Sequence, residues 1–326
     1  MNTIEKLYQN SLKIKSDDTR IKELEDIEFN FENILKKEDL THLNISIAID
    51  RMQTKTEKFN AHAKMLEDNS YEIVFCPHLL TLIDGLSIEL TSKYKECFSN
   101  IDKKKFYDKS NRNKLQKYIY EYLLNHIFYH ELFHILRGHI KYLHNTKSLN
   151  IILEFEENNQ KNLDNLYLEI DADKYASINS VLGEFELLEN IRKLGFNFNE
   201  IFYIIFISMN ELFYIFHLLN NKPITRKGHP ILLDRIILFK DHFMKVLNQN
   251  IIKNILEAGN IRYDEIDRLS ELSTAILIKK YNLEDIFNNC DVVNMLEEYS
   301  YFRRDVQLDS YSYDIQVKSP IWNTQL

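Results

Sequence analysis

The chain contains few glycine and proline residues. Among its 326 residues there are 6 Gly and 4 Pro, whereas average usage gives roughly 23 and 16. Sheet-rich sandwiches and barrels need turn residues about every 8–12 positions, and doubly wound nucleotide-binding folds need glycine at their phosphate turns. The scarcity disfavours both classes. Because 44% of the residues are hydrophobic, a packed core is expected, and we predict a mainly α (α+β) fold.

The chain also lacks paired cysteines and an excess of positive charge. Cys76, Cys97 and Cys290 are widely spaced and odd in number, which excludes a disulfide framework and agrees with a reducing compartment. The N-terminus has no basic-then-apolar secretion signal, so a cytoplasmic location is expected. The formal net charge of -8 disfavours general nucleic-acid binding, and no nucleic-acid partner is expected.

Three segments in the N-terminal third have the patterns of β-strands. Residues 44–49 alternate polar and apolar side chains, 71–76 are rich in β-branched and aromatic residues, and 60–66 lies between them. These patterns predict a small antiparallel sheet. Residues 151–155 are a further candidate strand, and the remaining apolar residues recur mostly at helical spacing.

The basic, polar stretch 99–114 marks the main change of character along the chain. We predict an N-terminal α+β region with the small sheet at 1–110, a helical core at 111–260 and a C-terminal helical extension at 261–326. The core includes the apolar run 201–219, which is nearly long enough to span a membrane. A glutamate interrupts it, and a charge within a span is costly in lipid. A buried core helix is therefore favoured, while shallow membrane contact stays open.

One segment carries the residues for a chemical reaction. His130-Glu131-Leu132-Phe133-His134 forms an HExxH motif within a long apolar stretch that has no proline. Positions i and i+4 share one face of an α-helix, so His130 and His134 can bind the same Zn²⁺. Glu131 is then placed to take a proton from a water molecule as it attacks a carbonyl group.

Two further histidines follow this motif. His139 lies five residues after His134, about 140° around a helix. It therefore cannot bind the same metal unless the helix breaks at Gly138. We assign His139 and His144 to the protein surface or to the surroundings of the metal ligands.

A third ligand is predicted on the next strongly helical segment. Glu169 and Asp173 are spaced i and i+4, and Ala172 and Ala176 are small enough to let this segment approach another helix closely. We predict that Glu169 binds the metal and that Asp173 accepts the free ring N–H of a ligand histidine. An acidic, solvated helix face is the alternative.

The HExxH motif followed by the ExxAD residues Glu169 to Asp173 resembles the gluzincin-type zinc metallopeptidases, such as the CaaX prenyl-protease and heat-shock membrane-protease group. A later HPxxxxR element of that group matches the run from His229 to Arg235. The resemblance implies a helical zincin-like bundle, a Zn²⁺ cofactor, and His229 or Arg235 as the group that stabilises a developing oxyanion. A helix that simply begins at Pro230 is the alternative explanation of this element.

The longer run from His130 to His139 resembles the soluble Lit-type phage-exclusion peptidases of bacteria, whose helix is HExxHxxxGH-like. This resemblance implies a zinc-dependent endopeptidase in phage exclusion or another intracellular defence role, with a host translation factor as its protein substrate. Two other hypotheses stay open. One is a non-enzymatic helical interaction protein with a structural or regulatory metal site, and the other is a membrane-associated peptidase that uses 201–219.

Overall fold

Helices form most of the structure. The computed structural model describes residues 3–14, 17–50, 59–147, 149, 151–153, 163–182, 192–219, 232–247, 263–284, 292–305, 307 and 310–312. Within these residues the α-helices are α1 (Thr3–Ile14), α2 (Asp17–Lys37), α3 (Pro77–Ser92), α4 (Tyr94–Cys97), α5 (Lys109–Leu136), α6 (His139–Lys147), α7 (Leu163–Leu182), α8 (Phe198–Leu219), α9 (Leu232–Leu247), α10 (Tyr263–Tyr281) and α11 (Val292–Asp305).

The sheet is small and mixed. Its strands are β1 (Ile45–Ile49), β2 (Ala61–Met65), β3 (Tyr71–Phe75) and β4 (Ile151–Leu153), in the order β1-β3-β2-β4. Strand β2 runs antiparallel to β3 and β4, whereas β1 runs parallel to β3. The predicted mainly α fold with a small N-terminal sheet is confirmed, with the correction that the sheet is mixed. Strand β1 pairs with β3 and not with β2, the next strand along the chain, and it runs in the same direction as β3.

Helix α5 is the element around which the others pack. It begins after Asp108, whose side chain accepts a hydrogen bond from Ser110 N at 2.7 Å and so caps the helix. Its faces contact α3, α7 and α8 as well as strands β2 and β3. Every residue from His126 to Leu136 is buried. The HExxH motif therefore lies inside the protein, at the buried end of a long helix.

Helix α8 corresponds to the apolar run of the sequence. Among the described residues it alone is long and apolar enough to cross a membrane, and 89% of its most apolar stretch is buried. Two of its polar residues, Asn210 and Glu211, have partners on α10. Glu211 accepts hydrogen bonds from Lys280 Nζ at 2.6 Å and Tyr281 Oη at 2.7 Å, and Asn210 Nδ2 donates to Ser273 Oγ at 3.0 Å. This packing agrees with the predicted buried core helix.

The apolar core extends through most of the described elements. One cluster of buried side chains runs from Leu7 on α1 to Leu283 after α10. A second, small cluster joins α7, α9 and α11 and includes Tyr299. The three-region division of the chain stays a prediction, and its boundary at 260 lies outside the described residues. The second cluster matters for the site because it brings α11 against α7.

Candidate metal centre

The structure brings together the three side chains that the sequence predicts as metal ligands. Helix α5 supplies His130 and His134, and α7, which packs along α5, supplies Glu169. The small residues Ala172 and Ala176 on α7 are fully buried and permit this close approach. One potential ligand atom from each of the three side chains lies within 4.8 Å of the other two, and all three are buried.

The distances between the donor atoms suit a tetrahedral cation. His130 Nε2 lies 3.1 Å from His134 Nε2. The Glu169 carboxylate places Oε2 3.2 Å from His130 Nε2 and Oε1 3.4 Å from His134 Nε2. Zinc bonds of about 2.0–2.1 Å at tetrahedral angles separate neighbouring ligand atoms by roughly 3.3 Å. The donor set of two imidazoles and one carboxylate therefore fits Zn²⁺ in type and in spacing.

The hydrogen bond on the far side of His130 orients its lone pair. His130 Nδ1 lies 2.9 Å from Asp173 Oδ1. In the neutral form of the ring that donates Nδ1–H to this carboxylate, Nε2 presents a lone pair to the site. Asp173 thus has the contact predicted for it from its spacing to Glu169.

The ring of His134 is oriented by a second imidazole, that of His139. His139 Nε2 lies 3.0 Å from Asp171 Oδ2 and donates to it. Burial lowers the pKa of His139, although Asp171 opposes this shift, and this direction favours the neutral ring. Its Nδ1 therefore accepts a hydrogen bond from His134 Nδ1 at 3.0 Å. His134 Nε2 is left with a lone pair that faces His130 and Glu169.

Asp171 anchors this second chain of hydrogen bonds. Its fully buried carboxylate accepts from Arg137 Nε at 2.9 Å, from His139, and from the hydroxyl of Tyr299 on α11. Burial alone would raise the pKa of Asp171. The charge of Arg137 and the hydrogen bonds from His139 and Tyr299 outweigh burial, so that its pKa lies well below the usual value. Asp171 is therefore ionised and can act only as an acceptor.

The break that allows His139 to face His134 occurs at Gly138. Helix α5 ends at Leu136, α6 begins at His139, and Gly138 between them has a φ of 71°. A side chain with a Cβ adopts this left-handed conformation only at a cost. Of the two places predicted for His139, the protein surface and the surroundings of the ligands, the structure has the second, because the side chain is buried and contacts His134.

Replacement of Gly138 tests how strongly the turn is constrained. A Cβ at this position would lie 2.1 Å from the backbone oxygen of Tyr311, whereas a Cβ at Gly195, which also has a positive φ, meets no atom within 4 Å. We expect Gly195→Ala to cost about 1–2 kcal/mol of unfolding free energy for backbone strain alone. Gly138→Ala is expected to cost more in urea denaturation, and an equal cost for the two variants would contradict this account of the turn.

Arg235 lies next to the carboxylates of the site. Its Nε is 2.9 Å from Asp173 Oδ2 and its Nη2 is 3.5 Å from Glu169 Oε2. The other residue predicted from the HPxxxxR element, His229, lies outside the described residues. The guanidinium of Arg235 therefore balances part of the carboxylate charge at the site.

Glu131 and His130 border a very small cavity. The cavity has a volume of about 10 Å³, close to the smallest that holds one water molecule. Its polar lining includes His126, His130, Glu131, Asp173 and Arg235. The predicted base and a predicted ligand thus share a space the size of one water molecule.

Two residues of this arrangement, Asp171 and Tyr299, have no assignment from the sequence, and His139 has only a partial one. Asp171 received no role, because it lies two positions from Glu169 and so projects from a different side of α7. Tyr299 is 128 positions from Asp171, and no local pattern links the two. His139 was predicted to lie at the surface or around the ligands, and the adjacent Gly138, which marks a helix end, is the signal for its contact with His134.

Comparison of the chain with protein-family models, with curated proteins and with solved structures gives no match. The interpretation of the site therefore depends on its own geometry and chemistry.

Proposed function

We propose that this protein is a zinc-dependent endopeptidase. The observation that carries the proposal is the convergence of three lone-pair donors, His130 Nε2, His134 Nε2 and the Glu169 carboxylate, at 3.1, 3.2 and 3.4 Å from one another. A cation bound between two imidazole nitrogens and a carboxylate that face one another in a buried space is stabilised by all three. A glutamate directly follows the first of these histidines and borders a cavity of one-water size.

Each residue has a defined role in the proposed reaction. His130, His134 and Glu169 would hold Zn²⁺, which as a Lewis acid lowers the pKa of water and polarises a carbonyl group. Glu131 accepts the proton of the attacking water and passes it to the leaving amine. Asp173 keeps the Nδ1 proton on His130, and Arg235 is proposed to stabilise the developing oxyanion. His229 stays a proposed alternative for that last role.

The proposed substrate is a protein, and the setting is inferred from resemblance alone. The likeness to Lit-type peptidases favours phage exclusion in the cytoplasm and a host translation factor as the protein that is cut. Within the described residues, the cavity beside Glu131 is too small to hold a peptide.

Comparative proteomics tests the proposed activity. Cells that express the parent protein are compared with cells that express Glu131→Gln, and protein fragments with new termini are counted in both. We expect fragments of one or a few proteins with the parent alone. Identical fragment sets from the two strains, at equal expression, would contradict the proposal.

The small volume of the same cavity favours a second candidate function. Metal ligands that are all buried beside a cavity of about 10 Å³ also suit a closed, structural metal site in an interaction protein. In that case Glu131→Gln would leave the biological effect of the protein unchanged, whereas loss of the metal ligands would unfold it.

A further inference from the structure

We propose that Asp171 and His139 are positioning residues that set the direction of the lone pair on His134, and that helix α11 completes this chain through Tyr299. The inference rests on the proposed metal site and adds to it a buried support that reaches the C-terminal part of the described chain. It assigns supporting roles to Asp171, His139 and Tyr299, none of which would bind the proposed cation itself.

The two ligand histidines are oriented in different ways. His130 donates directly to a carboxylate, Asp173, at 2.9 Å, and a carboxylate permits only one direction for that hydrogen bond. His134 instead meets the imidazole of His139 at 3.0 Å. A neutral imidazole nitrogen can donate or accept, so this contact alone does not determine which ring carries the shared proton.

Asp171 removes that ambiguity. Its carboxylate accepts from His139 Nε2 at 3.0 Å, so the proton of the neutral His139 ring is on Nε2 and its Nδ1 must accept from His134. If the proton of His139 moved to Nδ1, His134 would have to carry its own proton on Nε2. That proton would point at His130 and Glu169 and prevent His134 from binding a cation.

Helix α11 holds Asp171 from the other side. The hydroxyl of Tyr299 donates to Asp171 Oδ1, while Arg137 and His139 both contact Oδ2. The backbone of Tyr311, just beyond α11, packs on Gly138, where an added Cβ would clash. The described residues after position 292 therefore contact two parts of this arrangement, the carboxylate of Asp171 and the turn at Gly138 that precedes His139.

Zinc affinity is the quantity that this support controls. Residues that orient metal ligands from outside typically contribute roughly 10- to 100-fold in affinity. If the docking of α11 makes zinc binding more favourable by some free energy, then bound zinc stabilises the docked α11 by the same free energy, because the two equilibria are thermodynamically linked.

Two substitutions at His139 separate hydrogen bonding from packing. His139→Phe keeps the ring volume and removes both nitrogens. His139→Asn loses volume but keeps an oxygen that can accept from His134 at the position of Nδ1. Zinc affinity is measured for each purified full-length variant by competition with a chelating dye, and folding of the metal-free proteins is checked by circular dichroism.

We expect His139→Phe to weaken zinc binding by roughly 10- to 100-fold and His139→Asn to recover most of this loss. Tyr299→Phe, which removes only a hydroxyl group, should give a smaller loss in the same direction. His144→Phe, at an exposed histidine on the same helix, is the matched control and should bind zinc as the parent does. Tyr299→Phe also serves as the test if His139→Phe does not fold.

The outcomes distinguish this inference from the proposed metal site. Parent-like affinity of both His139→Phe and Tyr299→Phe would overturn the positioning role and leave the metal site in place. Weaker binding by His139→Asn than by His139→Phe would also overturn it, because packing alone gives that order. A parent protein that binds no zinc would refute the metal site itself.

Discussion

Glu131→Gln is expected to bind zinc with the stoichiometry of the parent protein and to lose proteolytic activity by about 10²–10⁴-fold, the usual contribution of a general base. Glutamine has nearly the same shape as glutamate, so the helix and the small cavity beside Glu131 should be preserved. The amide cannot accept the proton of the attacking water. The loss should therefore appear in kcat, with little change in folding or metal content.

A second glutamate on the same helix provides the control for this prediction. Glu121 is partly exposed and pairs with Lys117 at 3.4 Å, away from the metal ligands. Glu121→Gln changes the charge of α5 by the same amount and should retain parent activity. The activity assay uses the cleaved protein that the proteomic comparison identifies. Retained activity in Glu131→Gln would exclude Glu131 as the base.

Glu169→Ala is expected to weaken zinc binding by more than the roughly 10- to 100-fold that is typical of outer supporting residues, because it removes one of three bonds to the cation. The same substitution keeps the contact of Arg235 with Asp173. Zinc content after purification without added metal, measured by plasma mass spectrometry, should fall well below one ion per chain.

The control for Glu169→Ala is a buried glutamate in another part of the core. Glu211 on α8 pairs with Lys280 on α10 at 2.6 Å. Glu211→Ala therefore removes a buried carboxylate and an ion pair without touching the site. It should lower stability and keep the zinc content of the parent. If Glu169→Ala binds zinc as tightly as the parent, the assignment of the third ligand is wrong.

The parts of the fold that follow from local patterns were predictable. The scarcity of glycine and proline indicated a helical protein, and the alternating segments became β1, β2 and β3 within one residue of their predicted bounds. The parallel pairing of β1 with β3 was missed, because strand order depends on how a connection crosses the sheet. The alternation of polar and apolar side chains within a strand carries no information about strand order.

The candidate site likewise has features that follow from local sequence patterns and features that depend on the packed fold. His130 and His134 share a helical face, and Glu169 and Asp173 share another, so each pair was predictable from spacing alone. The close packing of α7 on α5, which brings Glu169 to the two histidines, was inferred from the small size of Ala172 and from the HExxH motif. The contacts of Asp171 with His139 and Tyr299 come from elements far apart in sequence, and their mutual distance is a property of the packed fold.

The measurement that tests the central claim most directly is anomalous X-ray diffraction at the zinc edge from crystals of the parent protein grown with Zn²⁺. The account predicts one strong peak within about 2.0–2.2 Å of His130 Nε2, His134 Nε2 and a carboxylate oxygen of Glu169. A zinc-soaked crystal with no peak between these three side chains, or with the ion bound by other residues, would contradict it.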